Sequence, residues 1–169
     1  GRGASTGDML HLIPPWLHRA GLRLAHAVRK RWWRLAKVQL NGCRVLAFDE
    51  GGRLLLIRHS YGSGNWMLPG GGIARGEAPL VAARRELAEE TGCILRDALV
   101  HAVLEEQLYG TTNRVHLIAG RAEGLPQPDG REIIELGFFG RNALPVPLSP
   151  AVASQIDAWF DAFTLLDRT

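Results

Sequence analysis

Cysteine is scarce in this chain. Its 169 residues hold two, Cys43 and Cys93, with no Cys-x-x-Cys pair. A disulfide framework is thereby excluded, and both thiols are expected to be packing residues kept reduced in a cytosol. Long apolar runs are missing as well. The longest purely aliphatic stretch is Leu54-Leu55-Leu56-Ile57, far short of the ~20 residues a membrane helix needs. No signal-peptide-like apolar region stands near the start, and internal repeats and low-complexity segments are absent. The six histidines show no metal-ligand spacing and read as surface or packing residues. A cytoplasmic chain is expected, with any membrane contact peripheral.

Acidic residues are nearly absent from the front of the chain. Residues 1–48 hold nine Lys/Arg against one acid, Asp8, whereas residues 49–169 hold eleven Arg against sixteen acids. Such asymmetry suggests an anionic partner. Residues 1–8 are small and polar and are expected to form a tail outside the fold. Pro14-Pro15 then opens a predicted amphipathic helix within an arm spanning 9–39. Leu17, Ala20, Gly21, Leu24, Val28, Trp32 and Leu35 share one face, and Arg19, Arg23, Arg29, Lys30, Arg34 and Lys37 the other. Three readings stay open for residues 16–37. The helix docks on the domain or on a second copy in a homodimer; it lies on an anionic membrane surface; or it binds RNA.

The globule is expected over 40–169. Cys43 to Phe48 and Arg53 to His59 read as a hairpin around Asp49-Glu50-Gly51-Gly52. Trp66-Met67-Leu68 is a short strand, and Pro69-Gly70-Gly71-Gly72 demands unusual backbone angles. A helix over Ala78 to Thr91 follows. Two strands, Ala98 to Tyr109 and Arg114 to Arg121, precede another at Ile133 to Phe139. Ser149-Pro150 starts a last helix with Val152, Ile156, Trp159, Phe160 and Phe163 on its core-facing stripe. Strands and helices interleave without a regular βαβ rhythm, so the fold class is α/β of the α+β type, a mixed sheet covered by helices.

Glu86, Glu89 and Glu90 stand at i, i+3 and i+4, so three carboxylates share one helix face. Left alone they repel one another or take up protons. A hard divalent cation resolves the conflict, and carboxylate oxygens suit Mg²⁺ or Mn²⁺ shared with substrate phosphates. Arg85 holds a carboxylate by a bidentate pair, with Glu89 or Glu77 as partner. The glycines in front let backbone approach an anion. Together these features read as a phosphoryl-chemistry site. A solvated helix with a charged face is the plainer reading of the same residues.

The ordered spacing separates the two. Gly71, Glu77, Arg85-Glu86-Leu87, Glu89-Glu90, Gly92 and Cys93 follow the order Gly, five residues, Glu, seven residues, Arg-Glu-aliphatic, one residue, Glu-Glu, one residue, Gly, aliphatic. At roughly 6% usage per position, seven fixed positions recur by chance on the order of 10⁻⁹ per window. The stretch resembles the Nudix box of the Nudix hydrolase superfamily. Cys93 at the final aliphatic position is the one departure. Trp66 to Gly72 is similar to the strand leading into the box, Glu135 to Phe139 to a later strand, and Leu148-Ser149-Pro150 to the start of the last helix. The resemblance covers roughly residues 40–165 and leaves out the basic arm.

The resemblance implies an α/β/α sandwich around a mixed sheet. It implies hydrolysis of a nucleoside diphosphate linked to another moiety, by water attack on phosphorus with Mg²⁺ or Mn²⁺. Glu86, Glu89 and Glu90 would be metal ligands, Gly71 would position metal or phosphate, Glu77 would shape the loop and Arg85 would orient a glutamate. The general base varies in the family; Glu90 or Glu132 is expected here, ahead of Glu135 and Glu105. Arg58, Gly71 and Gly72 are candidate phosphate contacts. Tyr61, Trp66 and Tyr109 are candidate base-stacking residues. A tyrosine placed like Tyr109 is associated with diadenosine polyphosphate hydrolases. Two alternatives remain: an enzyme acting on RNA 5′ ends through the basic arm, and a non-catalytic nucleotide-binding module.

Overall fold

The computed structural model of the chain describes residues 40–108 and 110–166. The expected tail (1–8), the amphipathic arm (9–39) and Tyr109 lie outside the described residues. Among those described, six strands form one sheet: β1 (Leu40–Phe48), β2 (Leu54–His59), β3 (Trp66–Met67), β4 (Ile94–Leu108), β5 (Thr111–Glu123) and β6 (Ile133–Phe139). The order is β3-β2-β1-β5-β4, with β6 also paired to β2. β1 and β5 run parallel and every other pair is antiparallel, so the sheet is mixed. The helices are α1 (Pro79–Thr91), α2 (Pro150–Ala153) and α3 (Ile156–Leu166).

Alternation along the strands sorts the core into two layers. Leu46 and Phe48 of β1, Leu54 and Leu56 of β2, and Leu117 and Ala119 of β5 pack with Val152, Ile156, Trp159 and Phe160. Their neighbours Val45, Ala47, Leu55 and Ile118 pack with Ala82, Ala83 and Leu87 of α1. Each fully buried Leu or Phe contributes about 1.5–3 kcal/mol, so both layers are held chiefly by apolar burial. The α/β/α sandwich expected from the sequence is the observed architecture. Cys43 and Cys93 are free, fully buried thiols in the α1 layer, as their apolar neighbours require.

Three local expectations need correction. The first two strands meet only at Phe48↔Leu54 and then part. The loop after β3 enters the gap, because Cys43 N–H donates to Gly71 O and Val45 N–H to Pro69 O, both at 2.9 Å. β4 begins at Ile94 rather than Ala98. Asp97 takes φ 50° within a bulge, which lets the strand continue through a polar pair. The last helix is broken in two. Ser149 caps α2, and the Ser154 hydroxyl bonds Ala151 O at 3.1 Å, competing with regular helix at the break. No helix among the described residues is long and apolar enough to cross a membrane.

Candidate active site

The site is assembled where β1 and β2 separate. Backbone bonds along the free edge of β1 hold the loop through Gly72, and Ile73 N–H closes onto Asn41 O at 3.1 Å. Gly70 has φ 140°, and a Cβ there would overlap Cys43 O, so only glycine passes this point. At Gly71 the obstacle is different: a Cβ would stand 2.6 Å from the Glu86 carboxyl carbon. These two glycines thus let the loop lie between β1 and the carboxylates of α1. Pro79 starts that helix, and Gly92 ends it in the left-handed conformation, its N–H bonded to Ala88 O.

Glu90 is buried, and its Oε2 accepts the Gly70 N–H at 2.8 Å. Burial, helped by the negative charges of Glu86 and Glu132 and opposed by the Gly70 N–H and the Arg44 charge, pushes its pKa up to about 8. Glu89 is exposed. Arg85 forms its bidentate pair with Glu77, through Nε at 2.9 Å and Nη2 at 3.0 Å. The same guanidinium reaches Glu86 at 2.7 Å, Glu89 at 3.4 Å and Gly72 O at 3.0 Å. Glu77 also accepts the Ala74 N–H, and the Arg85 pair holds its carboxyl down at about 2. Arg85 therefore ties the loop to the helix and fixes the direction of Glu86.

Among the described residues no three Asp, Glu, His or Cys side chains stand as a ready-made metal cluster. The donor chemistry nevertheless fits a hard cation. The ligand atoms offered are all carboxylate oxygens, and Glu90 carries a raised pKa beside a second carboxylate, an arrangement a divalent ion relieves.

Other candidates fall into two groups. Glu132 is exposed, yet its charge is felt at Glu90. Its loop is fastened by Ser60, whose N–H bonds Glu132 O and whose hydroxyl bonds Arg131 O, both at 2.8 Å. Asp129 Oδ1 holds the same loop by accepting the N–H groups of Arg131, Glu132 and Ile133, each at 2.9 Å. Arg58, Trp66 and Glu135 come together elsewhere. They are cross-strand partners, with Arg58 Nη2 at 2.6 Å from Glu135 and its guanidinium 6.0 Å from the Trp66 ring. Alternation along β2 puts Arg58 on the face of Leu54 and Leu56, the α2/α3 side, and not beside Glu90. Glu105 is exposed on β4, 3.9 Å from Arg114.

Sequence reasoning passed over His59. The structure brings its Nε2 to 3.9 Å from Glu90 Oε1, with its ring 4.9 Å from that of Tyr61. The available signal was position: His59 is one residue beyond Arg58 in an alternating strand, hence on the opposite face.

Comparisons with known proteins bear on the fold and the family. A protein of Mycobacterium tuberculosis named "Putative 8-oxo-dGTP diphosphatase 2" is 38% identical over 87 residues, 48% of this chain and 57% of that protein. RNA pyrophosphohydrolase of Bartonella bacilliformis is 57% identical over 59 residues, 30% of this chain and 35% of the relative. The matches thus span little over half the length of the first relative and about a third of the second. A MutT NUDIX hydrolase of Burkholderia pseudomallei superposes with TM-score 0.63 at 28% identity, over 71% of this chain and 97% of that one. The NUDIX domain family model matches residues 39–160, and the chain belongs to that family.

Proposed function

We propose that the protein is a metal-dependent hydrolase that cleaves the pyrophosphate linkage of a nucleoside diphosphate derivative by water attack on phosphorus. The observation that carries this reading is the buried Glu90 carboxyl, held by the Gly70 N–H beside Glu86 at the break in the sheet. Glu86, Glu89 and Glu90 would hold Mg²⁺ or Mn²⁺, with the Gly71 backbone as a further contact. When bound, such an ion supplies charge neutralisation of the phosphate oxygens and a more acidic water. The chain's own groups do the rest. Glu90 or Glu132 accepts the proton of the attacking water. Arg85 and Glu77 keep the loop and Glu86 in place. Gly72 lies exposed on the loop beside them, open to a phosphate.

Nucleotides, dinucleoside polyphosphates and nucleotide sugars are the substrate classes. Arg58 and Trp66 take the moiety remote from the attacked phosphorus, and Tyr109 is proposed to stack on a base. A cytosolic location belongs to this reading, supported by the two buried thiols. A hydrolysis screen over these classes with Mg²⁺ or Mn²⁺ tests it. Wild-type turnover lost in Glu90→Gln is expected, whereas equal binding and no turnover in both would mark a non-catalytic module.

One observation favours a second reading. The similar proteins include RNA pyrophosphohydrolase, and residues 16–37 are strongly basic. Removal of a 5′ pyrophosphate from RNA with the arm as docking segment would weaken steeply with salt. Deletion of residues 9–38 distinguishes the roles of the arm: RNA turnover, binding to anionic vesicles, or assembly into a homodimer is lost according to which it serves.

A further inference from the structure

β1 carries an arginine where the sheet interior ordinarily holds an aliphatic residue. Arg44 stands two residues before Leu46, on the face that packs against α2 and α3. The residue is half-buried, and its guanidinium donates from Nη1 to Cys43 O at 3.1 Å. Among the described residues it is the one half-buried arginine with no carboxylate partner. Arg58 has Glu135, Arg85 has Glu77 and Glu86, and Arg121 has Asp97. Its charge is felt at Glu90, yet no carboxylate of the described residues pairs with it directly, which leaves the guanidinium fork able to take a further anion.

A second polar residue stands on the same strip. Asn113 of β5 shares its face with Leu117 and Ala119 and is 5% exposed. Its Oδ1 and Nδ2 lie 3.8 Å from where a Cβ on Gly42 would stand. The Gly71 carbonyl comes nearer still, 3.3 Å from the same point, so Gly42 lets the loop and this amide close on the strand beside Arg44. A strand glycine with polar groups on either side marks a place where another group approaches the backbone. The strip borders the carboxylate site. The same Cys43 O that Arg44 contacts lies against Gly70, whose N–H holds Glu90.

We propose that Arg44 and Asn113 bind an anionic group of the substrate, a phosphate or carboxylate on the moiety beyond the attacked anhydride. They thereby select which nucleoside diphosphate derivative is preferred. The inference rests on the hydrolase reading for its substrate, but not for its binding test. An anion satisfies the guanidinium fork with charge-assisted bonds, and the Asn113 amide adds a neutral donor. A base edge offers acceptors and leaves the charge uncompensated, which disfavours it here.

The test uses the full chain and substrate pairs differing in one anionic group: UDP-glucuronate against UDP-glucose, and a nucleoside diphosphate sugar with and without a sugar phosphate. Binding is measured by calorimetry without added metal, and kcat/KM with Mg²⁺. Wild type is expected to favour the charged member of each pair by roughly ten- to a hundredfold. Arg44→Met should collapse that ratio and Arg44→Lys should retain part of it. Asn113→Asp, nearly isosteric, should invert it by placing a carboxylate on the strip. The proposal is overturned if wild type shows no preference, or if Arg44→Met weakens both members equally, as a base-edge or merely structural role would. Charge-selective, Arg44-dependent binding with no turnover of any substrate would uphold the proposal and remove the hydrolase reading instead.

Discussion

Gly70 donates its backbone N–H to Glu90 Oε2 at 2.8 Å, joining the loop that splits the sheet to the most buried carboxyl of α1. One consequence is a pH dependence of stability in metal-free protein. The Glu90 pKa rises from 4.5 to about 8, chiefly through burial. Below pH 4.5 folded and unfolded chains both hold the proton, and the contribution to stability is fully present. As pH climbs toward 8 the unfolded chain releases that proton while the folded one keeps it, so stability falls until the folded pKa is passed. Glu90→Gln removes the slope and should be more stable than wild type at pH 8 by on the order of 1–3 kcal/mol. Urea unfolding of both proteins at pH 5 and pH 8 measures this; an unchanged slope in the variant would assign the effect to other groups.

The three consecutive glycines should respond very differently to alanine. At Gly70 the new methyl group meets the Cys43 carbonyl, which is backbone and cannot swing away, and φ 140° is unfavourable for alanine. A loss of roughly 3 kcal/mol or more is expected. At Gly71 the obstacle is the Glu86 carboxylate, a movable side-chain end. Gly71→Ala should cost about 1 kcal/mol in stability while turnover drops severely, because Glu86 is displaced. Nothing lies within 4 Å of a Cβ on Gly72, so Gly72→Ala should stay within roughly 0.5 kcal/mol. Thermal melts of the three variants alongside kcat give the ranking, and equal melting temperatures would show that the loop does not press on β1.

Arg85 makes contacts that a lysine cannot copy. Its Nε and Nη2 grip both oxygens of Glu77 while Nη1 reaches Glu86. The side chain is 35% exposed, so the stability cost of Arg85→Lys is discounted to about 1 kcal/mol or less. Activity should fall by roughly a hundredfold, since the loop and Glu86 lose their common anchor. Glu77→Gln, which keeps the shape and the Ala74 hydrogen bond, should cost less than Arg85→Lys. Steady-state kinetics on the two variants decides the order, and the reverse order would mean that Glu77 acts on substrate directly.

The helix and its carboxylates were legible because their spacing is local: Glu86, Glu89 and Glu90 share a face wherever the helix forms. The strand faces were legible from alternation. The division of β1 from β2 was not, because it depends on Pro69 O and Gly71 O bonding β1 some 25 residues earlier in the chain, and backbone bonds leave no side-chain pattern. For the same reason the sequence points to Arg58 as a phosphate contact and gives no sign of His59. One step of register exchanges their faces, and only the packing of Leu54 and Leu56 against α3 fixes that step. The Arg85 partner was narrowed to Glu89 or Glu77. The bidentate pair went to Glu77 because the loop folds back over the first turns of the helix.

Glu132 and Asp129 separate a charge effect from a structural one. Glu132 is exposed, and its charge helps raise the Glu90 pKa, so Glu132→Gln should move the stability midpoint of Glu90 to lower pH with little change in stability at pH 5. Asp129 lies outside the carboxylate group but holds three successive N–H groups of the Glu132 loop through one oxygen. Asp129→Ala frees all three. Those groups lie near the surface, where water can replace the lost acceptor, so the expected cost is about 1–2 kcal/mol. That loss should appear at pH 5 and pH 8 alike. If Glu132 is the proton acceptor, both variants lower kcat, but Asp129→Ala does so by misplacing an intact carboxylate. Its rate should then recover in part when the loop is tightened by lower temperature, and that of Glu132→Gln should not. A pH-stability series with kcat at two temperatures reads all of this out, and parallel behaviour of the two variants would remove Glu132 from the chemistry.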